Sequence, residues 1–214
     1  MDLYKSDNGG QEILVNIAPD GDCILVVGPD MMKIRVHSRF LCVASKPFSA
    51  MFTPKWKEGD AFFSQAEPME IYLPEDNATS MRLICAIIHH QNQDVPDNLS
   101  ARNILGVAVA ADKYDCVLAL RFASETWFGG HNEEAGDQVV LAAAAYLLWN
   151  EKAFREITKT MILTHNGSYH KLCSEEVESV MNWKVFCKWF TKTTAFCWLI
   201  NVKACWKRQE VSQG

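Results

Sequence analysis

Several local signatures of known functional classes are missing from this sequence of 214 residues. It contains no G-x-S-x-G, no phosphate-binding G-x-x-x-x-G-K-[ST], no G-x-G-x-x-G and no H-E-x-x-H, which mark hydrolase, nucleotide and metalloprotease sites. Its longest apolar run, residues 139–149, has 11 residues, far below the ~18 that a membrane span needs. We therefore predict no enzyme and no cofactor, and we expect no membrane span.

A basic surplus and a secretion signal are missing as well. The formal net charge is −5, with 21 Lys and Arg against 26 Asp and Glu, which argues against nucleic-acid binding because phosphate contacts need surplus cations. The first residues are polar, so we expect no secretory signal. Most of the eight cysteines lie in apolar runs, as buried free thiols do. We predict eight free thiols and an intracellular protein of the cytoplasm or nucleus.

Two loose groups resemble metal ligands, namely His165, His170 and Cys173, and His89 and His90 near Cys85. Zinc sites normally show tighter Cys and His pairs, and none occurs here, so we predict no metal. His37 with Cys42 could be imagined as a base and a nucleophile. No local signature of a third, orienting group accompanies them, and the structural interpretation of His37 is favoured.

The stretch from Asp22 to Phe52 changes from a strand pattern to a helix pattern. Two apolar strands, 23–27 and 32–36, flank Gly28-Pro29-Asp30, a strong turn signal. Small, apolar and imidazole side chains then recur at helical steps and fall within an arc of about 120°. This predicted face consists of His37, Leu41, Ser45, Phe48 and Met51. Because Pro47 would break a long helix, we predict that Ser45 caps a second, short one.

This order of elements resembles the start of the BTB/POZ domain. The stretch 70–76 resembles the third strand of that domain and the acidic turn after it. Ile87-Ile88-His89-His90, Val95-Pro96 and the helix closing on Asp112-Lys113-Tyr114 resemble BTB proteins of filamentous fungi in particular. Trp127 lies where those proteins often end their last BTB helix. The residues that carry the resemblance as a fold-defining motif are Asp22, His37, Leu41, Ser45, Phe48, Met51, Asp112 and Tyr114.

The resemblance implies an α+β fold with a small, mostly three-stranded sheet and packed helices. We predict a loose segment at 1–19, the BTB/POZ domain at 20–128, an all-helical extension at 131–192 and a tail at 193–214 whose structure the pattern does not define. Gly129-Gly130 is the boundary signal. The implied function is protein–protein interaction, by homodimerisation or partner recruitment, including recruitment to a cullin-type ubiquitin ligase. The adaptor signature of an apolar residue, any residue and Glu is absent, because residues 89–94 read HHQNQD.

A charged pocket found in BTB transcription regulators is also in doubt. There, an acid before the first strand meets an Arg directly after the helix-opening His, at the centre of the dimer. This chain keeps the acid as Asp22, but Ser38 follows His37. Arg39 comes one residue later, about 100° further around a helix. We therefore predict a solvated Arg39.

Further helices are predicted from residue 77 through 88 and at 101–113, 116–127, 137–149 and 151–165, with another after Ser174 and a strand at 13–17. The helix at 101–113 is apolar almost all round. The helix at 151–165 carries a stripe of Phe154, Ile157, Met161, Ile162 and His165. Between residues 183 and 208, lysines recur at steps of four opposite aromatic residues, which favours either a peripheral membrane or calmodulin-like interaction, or packing on the helical extension with the lysines in solvent.

Overall fold

The computed structural model describes residues 14–56, 67–129, 135–164 and 174–180. The chain divides into two compact units, residues 1–94 and 95–214. This division falls inside the predicted domain of residues 20–128, and the predicted boundaries themselves stay predictions. The metal-like group His165, His170 and Cys173 and the basic stretch 183–208 lie outside the described residues.

The described part of the first unit begins with a short strand and a β-hairpin and continues into helices and one more strand. Its elements are β1 (Leu14–Asn16), β2 (Cys23–Val27), β3 (Met32–Val36), α1 (Ser38–Ala44), α2 (Lys46–Trp56), β4 (Met69–Leu73), α3 (Ala78–Ile88) and a 3₁₀ turn (Asn92–Asp94). The second unit contains α4 (Ala101–Lys113), a 3₁₀ turn (Val117–Leu120), α5 (Arg121–Phe128), α6 (Ala135–Leu147), α7 (Glu151–Thr164) and α8 (Glu175–Val180). The α+β prediction is confirmed.

The sheet has four strands, one more than the mostly three-stranded sheet that was predicted. Its order is β1-β3-β2-β4. β2 and β3 form the predicted antiparallel hairpin, with Cys23 opposite Val36 and Val27 opposite Met32, while β1 runs parallel to β3 and β4 parallel to β2. Gly28 closes the hairpin with a φ of +75°, a conformation that glycine adopts without steric cost. β1 spans only 3 residues, too few for a clear alternation of apolar and polar side chains.

A break between α1 and α2 occurs where Pro47 predicted it. Ser45 has an extended backbone (φ −144°, ψ 118°), and its hydroxyl accepts a hydrogen bond from the Phe48 amide at 3.1 Å. The single face predicted from His37 to Met51 is therefore wrong, because its members are divided between two helices. Leu41 and Phe48 are fully buried as predicted, whereas Met51 is exposed.

α3 and α4 each begin at a polar side chain that caps the helix. Asn77 Oδ1 accepts a hydrogen bond from the Ser80 amide at 2.9 Å, and the Ser100 hydroxyl accepts one from the Asn103 amide at 3.3 Å. α4 has the bounds predicted for it, but Val109 is partly exposed. The prediction that α4 is apolar almost all round was wrong at that residue, which lies about 140° around the helix from buried Ile104.

The rest of the second unit corrects two other predictions. The helix predicted at 116–127 begins as a 3₁₀ turn that buries Val117 and Leu120 three residues apart, the spacing at which 3₁₀ side chains eclipse. In α7 the buried stripe is Phe154, Thr158 and Met161, whereas Ile162 is exposed. Ile162 lies about 80° around the helix from Phe154. Thr158 is compatible with burial because its hydroxyl donates to the Phe154 carbonyl at 2.7 Å.

Candidate functional site: the first helix and its neighbours

The amino-terminal end of α1 is capped by Asp22, the residue just before β2. His37 precedes the helix and its side chain makes no capping hydrogen bond. Instead, Asp22 Oδ1 accepts from the Ser38 amide at 2.7 Å, and Asp22 Oδ2 accepts from the Ser38 hydroxyl at 2.5 Å. A carboxylate at this position satisfies one of the open amides and complements the helix dipole. Asp22 therefore stabilises α1, and its partner is Ser38 where transcription regulators have Arg.

A histidine at the end of α3 holds the residue before α1. His89 Nε2 accepts a hydrogen bond from the His37 amide at 2.9 Å. The other ring nitrogen, Nδ1, lies 2.8 Å from the Cys85 carbonyl oxygen, which can only accept. The ring is therefore neutral, with its proton on Nδ1. Burial is the largest of the effects that lower the pKa of His89, and the charges of His37 and His90 lower it further.

Phe40 connects this histidine pair to the surface. Its ring meets His89 edge to face at a centroid distance of 5.1 Å and His37 at 5.7 Å. Such geometry is favourable for aromatic rings. Phe40 is nevertheless 44% exposed, and Val43, one turn along α1, is 90% exposed. We call Phe40 and Val43 the first-helix surface.

The surroundings of the first-helix surface are polar. Asp20 Oδ1 lies 3.2 Å from His37 Nε2, on the side of the ring away from its backbone amide. On the sheet, Lys33 Nζ lies 3.0 Å from Glu70 Oε1. The hydrogen bond from Tyr72 and the contact with Lys33 lower the pKa of Glu70. Arg39 is exposed. The first-helix surface is therefore a small apolar area on a helix that also exposes Arg39, with Asp20 beside the preceding His37.

The surroundings of His37 and Cys42 do not favour a catalytic base and nucleophile. Burial and the charge of Asp22 raise the pKa of Cys42, which disfavours the nucleophilic thiolate. His37 is next to Asp20 and the two neighbouring rings. Within the described parts of the chain, no three His, Cys, Asp or Glu side chains are grouped so that they could hold a metal. No helix among those residues is long and apolar enough to cross a membrane.

The other motif residues, Asp112 and Tyr114, lie in the second unit, as does Trp127. Tyr114 is buried at the end of α4, and Lys113 Nζ lies 5.3 Å from its ring centroid. Trp127 is buried too, and its indole N–H donates to the Pro96 carbonyl at 2.9 Å. Asp112 is exposed. Tyr114 and Trp127 thus stabilise the second unit.

A groove of about 490 Å³ is present in the second unit. Residues 117–125 form one side and residues 148–152 the other. Leu118, which lines the groove, is 76% exposed. Phe122, four residues later in α5, is 80% exposed. The Trp149 indole N–H is buried without a hydrogen-bond partner among the described residues. The groove has a mixed lining, apolar at Leu118, Leu148 and Trp149 and charged at residues such as Arg121 and Glu151.

Sequence reasoning missed His89, Phe40 and Val43. His89 was interpreted as the end of a helix, and its contact with His37 joins residues 52 positions apart, which no local pattern reveals. Phe40 and Val43 left a signal that was not used. They are two apolar residues three positions apart that do not belong to the predicted buried face, and such residues on an amphipathic helix point to solvent or to a partner.

The comparison with known families agrees with this geometry. No curated protein matches the chain. The family model of the BTB/POZ domain matches residues 20–125, a stretch that begins beside Asp22, includes the first-helix surface and ends within α5. BTB/POZ domains mediate protein–protein interactions and are not catalytic modules. Residues 20–125 of this chain therefore match the BTB/POZ domain, a protein–protein interaction module, and the α+β fold of the described residues agrees with that match.

Proposed function

We propose that this protein self-associates as a homodimer through the first-helix surface. The observation that carries the proposal is the contrast within α1, where Leu41 is fully buried and Val43, two residues later, is 90% exposed. A well-anchored helix holds this apolar side chain in water. When a partner covers it, the free energy of association becomes more favourable. BTB domains often dimerise.

A second copy of the chain is the partner that two-fold symmetry favours for this surface. Closed two-fold dimers bring the same patch of both protomers together. Leu14 on β1 is also partly exposed, so the segment before the domain supplies apolar area of its own. We expect a dimer at micromolar concentration that is moderately weakened when residues 1–19, which include β1, are deleted.

The test compares two charge substitutions of similar exposure. Burial of a valine stabilises by roughly 1.5–3 kcal/mol, and a two-fold interface contains the residue twice. We expect Val43→Lys to raise the dimer dissociation constant at least about tenfold, which corresponds to about 1.4 kcal/mol. Leu118→Lys, on the groove, serves as the matched control and should leave the constant unchanged. Light scattering and sedimentation measure it, with circular dichroism as a check of folding.

Two results would contradict the proposal. One is a wild-type monomer across the micromolar range. The other is a Val43→Lys dimer as tight as the wild type. If Leu118→Lys dissociates the dimer instead, self-association uses the groove and the first-helix surface is not the interface.

Recruitment of a different protein is the second candidate, and the groove favours it. Leu118 and Phe122 expose apolar area beside a cavity of about 490 Å³, large enough for one or two partner side chains. A cullin-type ligase scaffold is the partner class that the resemblance to adaptors implies, although HHQNQD replaces the adaptor signature at 89–94. Titration calorimetry with a purified cullin amino-terminal domain tests it. Binding that Phe122→Ala abolishes supports this role, and no binding contradicts it.

The remaining proposals concern the part of the chain outside the described residues, the type of BTB protein, its lack of enzyme activity and its location in the cell. The alternative of membrane or calmodulin-like binding depends on residues 183–208. Co-sedimentation of the full chain and of a 1–182 truncation with anionic vesicles tests it, since attraction by lysines weakens with salt. Assignment to the fungal type of BTB protein, the absence of enzyme activity and a place in the cytoplasm or nucleus also remain proposals.

A further inference from the structure

We propose that protonation of His89 releases the amino-terminal end of α1 and thereby weakens self-association, which makes the first-helix surface sensitive to acid. This inference rests on the proposed function and adds its regulation. It follows from the position of one imidazole ring between the end of α3 and the start of α1.

The hydrogen bond that His89 accepts exists only in the neutral form of its ring. Nε2 accepts from the His37 amide at 2.9 Å, and Nδ1 donates to the Cys85 carbonyl at 2.8 Å. A second proton must bind at Nε2, because Nδ1 already carries one. Nε2–H would then face the N–H of His37, donor against donor. Protonation therefore removes the hydrogen bond that joins α3 to the residue before α1.

The charged groups around His89 oppose its protonation in the folded state. His90 follows it on the same chain turn and His37 stacks against it at a centroid distance of 6.2 Å; their charges, like burial, lower the pKa of His89. The nearby carboxylate of Asp20 contacts His37, and Arg35 of β3 donates to the Gly21 carbonyl at 2.9 Å. The acid of the adjoining 3₁₀ turn, Asp94, is not among the groups that act on His89.

Proton binding must therefore favour a loosened state. In a released conformation the imidazole is hydrated and returns towards its ordinary pKa near 6.5. As the pH falls through 6.5, the loosened state binds protons that the anchored state does not. The population of the loosened state then rises, by up to tenfold for each pH unit between the two pKa values.

The loosening reaches the first-helix surface through Phe40. The Phe40 ring packs edge to face on both His89 and His37, so a movement of either ring changes how Phe40 is presented. The change stays local, because Asp22 holds the next residue, Ser38, through both carboxylate oxygens. Acid therefore shifts Phe40 and His37 without unfolding α1.

The test uses the full chain at pH 7.5 and pH 5.5. We expect the dimer dissociation constant of the wild type to rise about five- to tenfold on acidification. His89→Gln keeps an acceptor for the His37 amide and a donor for the Cys85 carbonyl, but it does not titrate. It should dimerise equally at both pH values. His90→Asn is the matched control. It tolerates the left-handed conformation of residue 90 (φ +61°). Because it removes a charge that lowers the pKa of His89, it should reduce the pH dependence without abolishing it.

A second measurement does not depend on dimerisation. Hydrogen exchange of the His37 amide, followed by NMR and corrected for the intrinsic effect of pH, should show less protection at pH 5.5 in the wild type and no change in His89→Gln. A wild-type monomer at both pH values contradicts self-association, and the exchange result then decides whether protonation loosens α1. A dimer whose pH response is the same in the wild type and His89→Gln overturns the switch alone.

Discussion

Asp22 and Ser38 are joined by two hydrogen bonds, one to each carboxylate oxygen, at 2.7 and 2.5 Å. Ser38 is buried and follows the His that opens the helix. In transcription regulators of the BTB family, an Arg at this position pairs with the acid. Here a small hydroxyl occupies the position of the Arg, and Arg39 is exposed instead. The acid therefore serves as the cap of α1.

The first prediction tests this cap. Asp22→Ala should lower the free energy of unfolding by about 1–2 kcal/mol, because the first turn of α1 loses its acceptor. Asp22→Asn keeps an acceptor for the Ser38 amide and should cost less. Glu75→Ala, which removes an exposed carboxylate, is the control for net charge. Urea unfolding measures all three, and equal effects of Asp22→Ala and Glu75→Ala would show that the cap contributes nothing.

A second prediction compares two neighbouring residues of α1. Leu41→Ala should cost roughly 2–5 kcal/mol, because it removes a fully buried side chain and leaves a cavity. In the monomer, Val43→Ala should change stability by less than about 0.5 kcal/mol, as exposed substitutions usually do. Thermal unfolding at low protein concentration measures both. An unchanged melting temperature for Leu41→Ala would contradict the position of α1 in the fold.

The third prediction concerns stability and pH. The pKa of His89 is lowered in the folded state, so the unfolded chain binds a proton more readily. The contribution of neutral His89 to stability is therefore complete above about pH 6.5 and is lost as the pH falls below it. His89→Gln should lose less stability than the wild type between pH 7.5 and 5.5. Urea unfolding at the two pH values, read as the difference between the proteins, checks the sign.

A fourth prediction concerns helix ends. Asp115 follows α4 in the left-handed region, with a φ of +48°, where glycine is favoured. Asp115→Gly should raise the free energy of unfolding by about 1 kcal/mol, because it relieves that conformation. Asp115→Ala removes the same charge without that relief and is the control. A larger gain for Asp115→Ala would mean that charge, not backbone conformation, is the cause.

The last prediction concerns the cysteines. Cys23, Cys42, Cys85 and Cys116 are free thiols in the structure, and we expect the other four to be free as well. In the native protein Cys42 should react before the other three, because it is the one that is not buried. Burial raises the pKa of Cys116 to about 12. Thiol counting in denaturant without reductant should find eight, and two or more missing thiols would contradict the intracellular assignment.

Much of the local structure was predictable because it depends on residues close together in the chain. The hairpin follows from two apolar runs around Gly28, and the break after α1 follows from Pro47. Ser45 and Asn77 cap helices through amides three residues later. Each of these contacts is decided within a few positions, where side-chain type and backbone geometry are directly linked.

Three helices end in a motif that was not predicted, for a local reason of a different kind. α3, α4 and α6 are followed by His90, Asp115 and Trp149, all with positive φ. The next amide in each case bonds back to a carbonyl five residues earlier, as Gln91 does to Ala86 at 2.9 Å. Glycine usually marks this motif. Without glycine, the sequence carries no clear signal for it.

By itself, the sequence determined the class of the fold, the order of its main strands and helices and the resemblance to the BTB/POZ domain. Only the tertiary structure decided that β1 adds a fourth strand, that Asp22 caps α1 and that His89 holds His37. The physical reason is distance along the chain. Asp22 and Ser38 are 16 positions apart, and His37 and His89 are 52 apart. Periodicity in the sequence shows which face of a helix or strand is apolar. It does not show which distant residue will contact the end of that helix or strand.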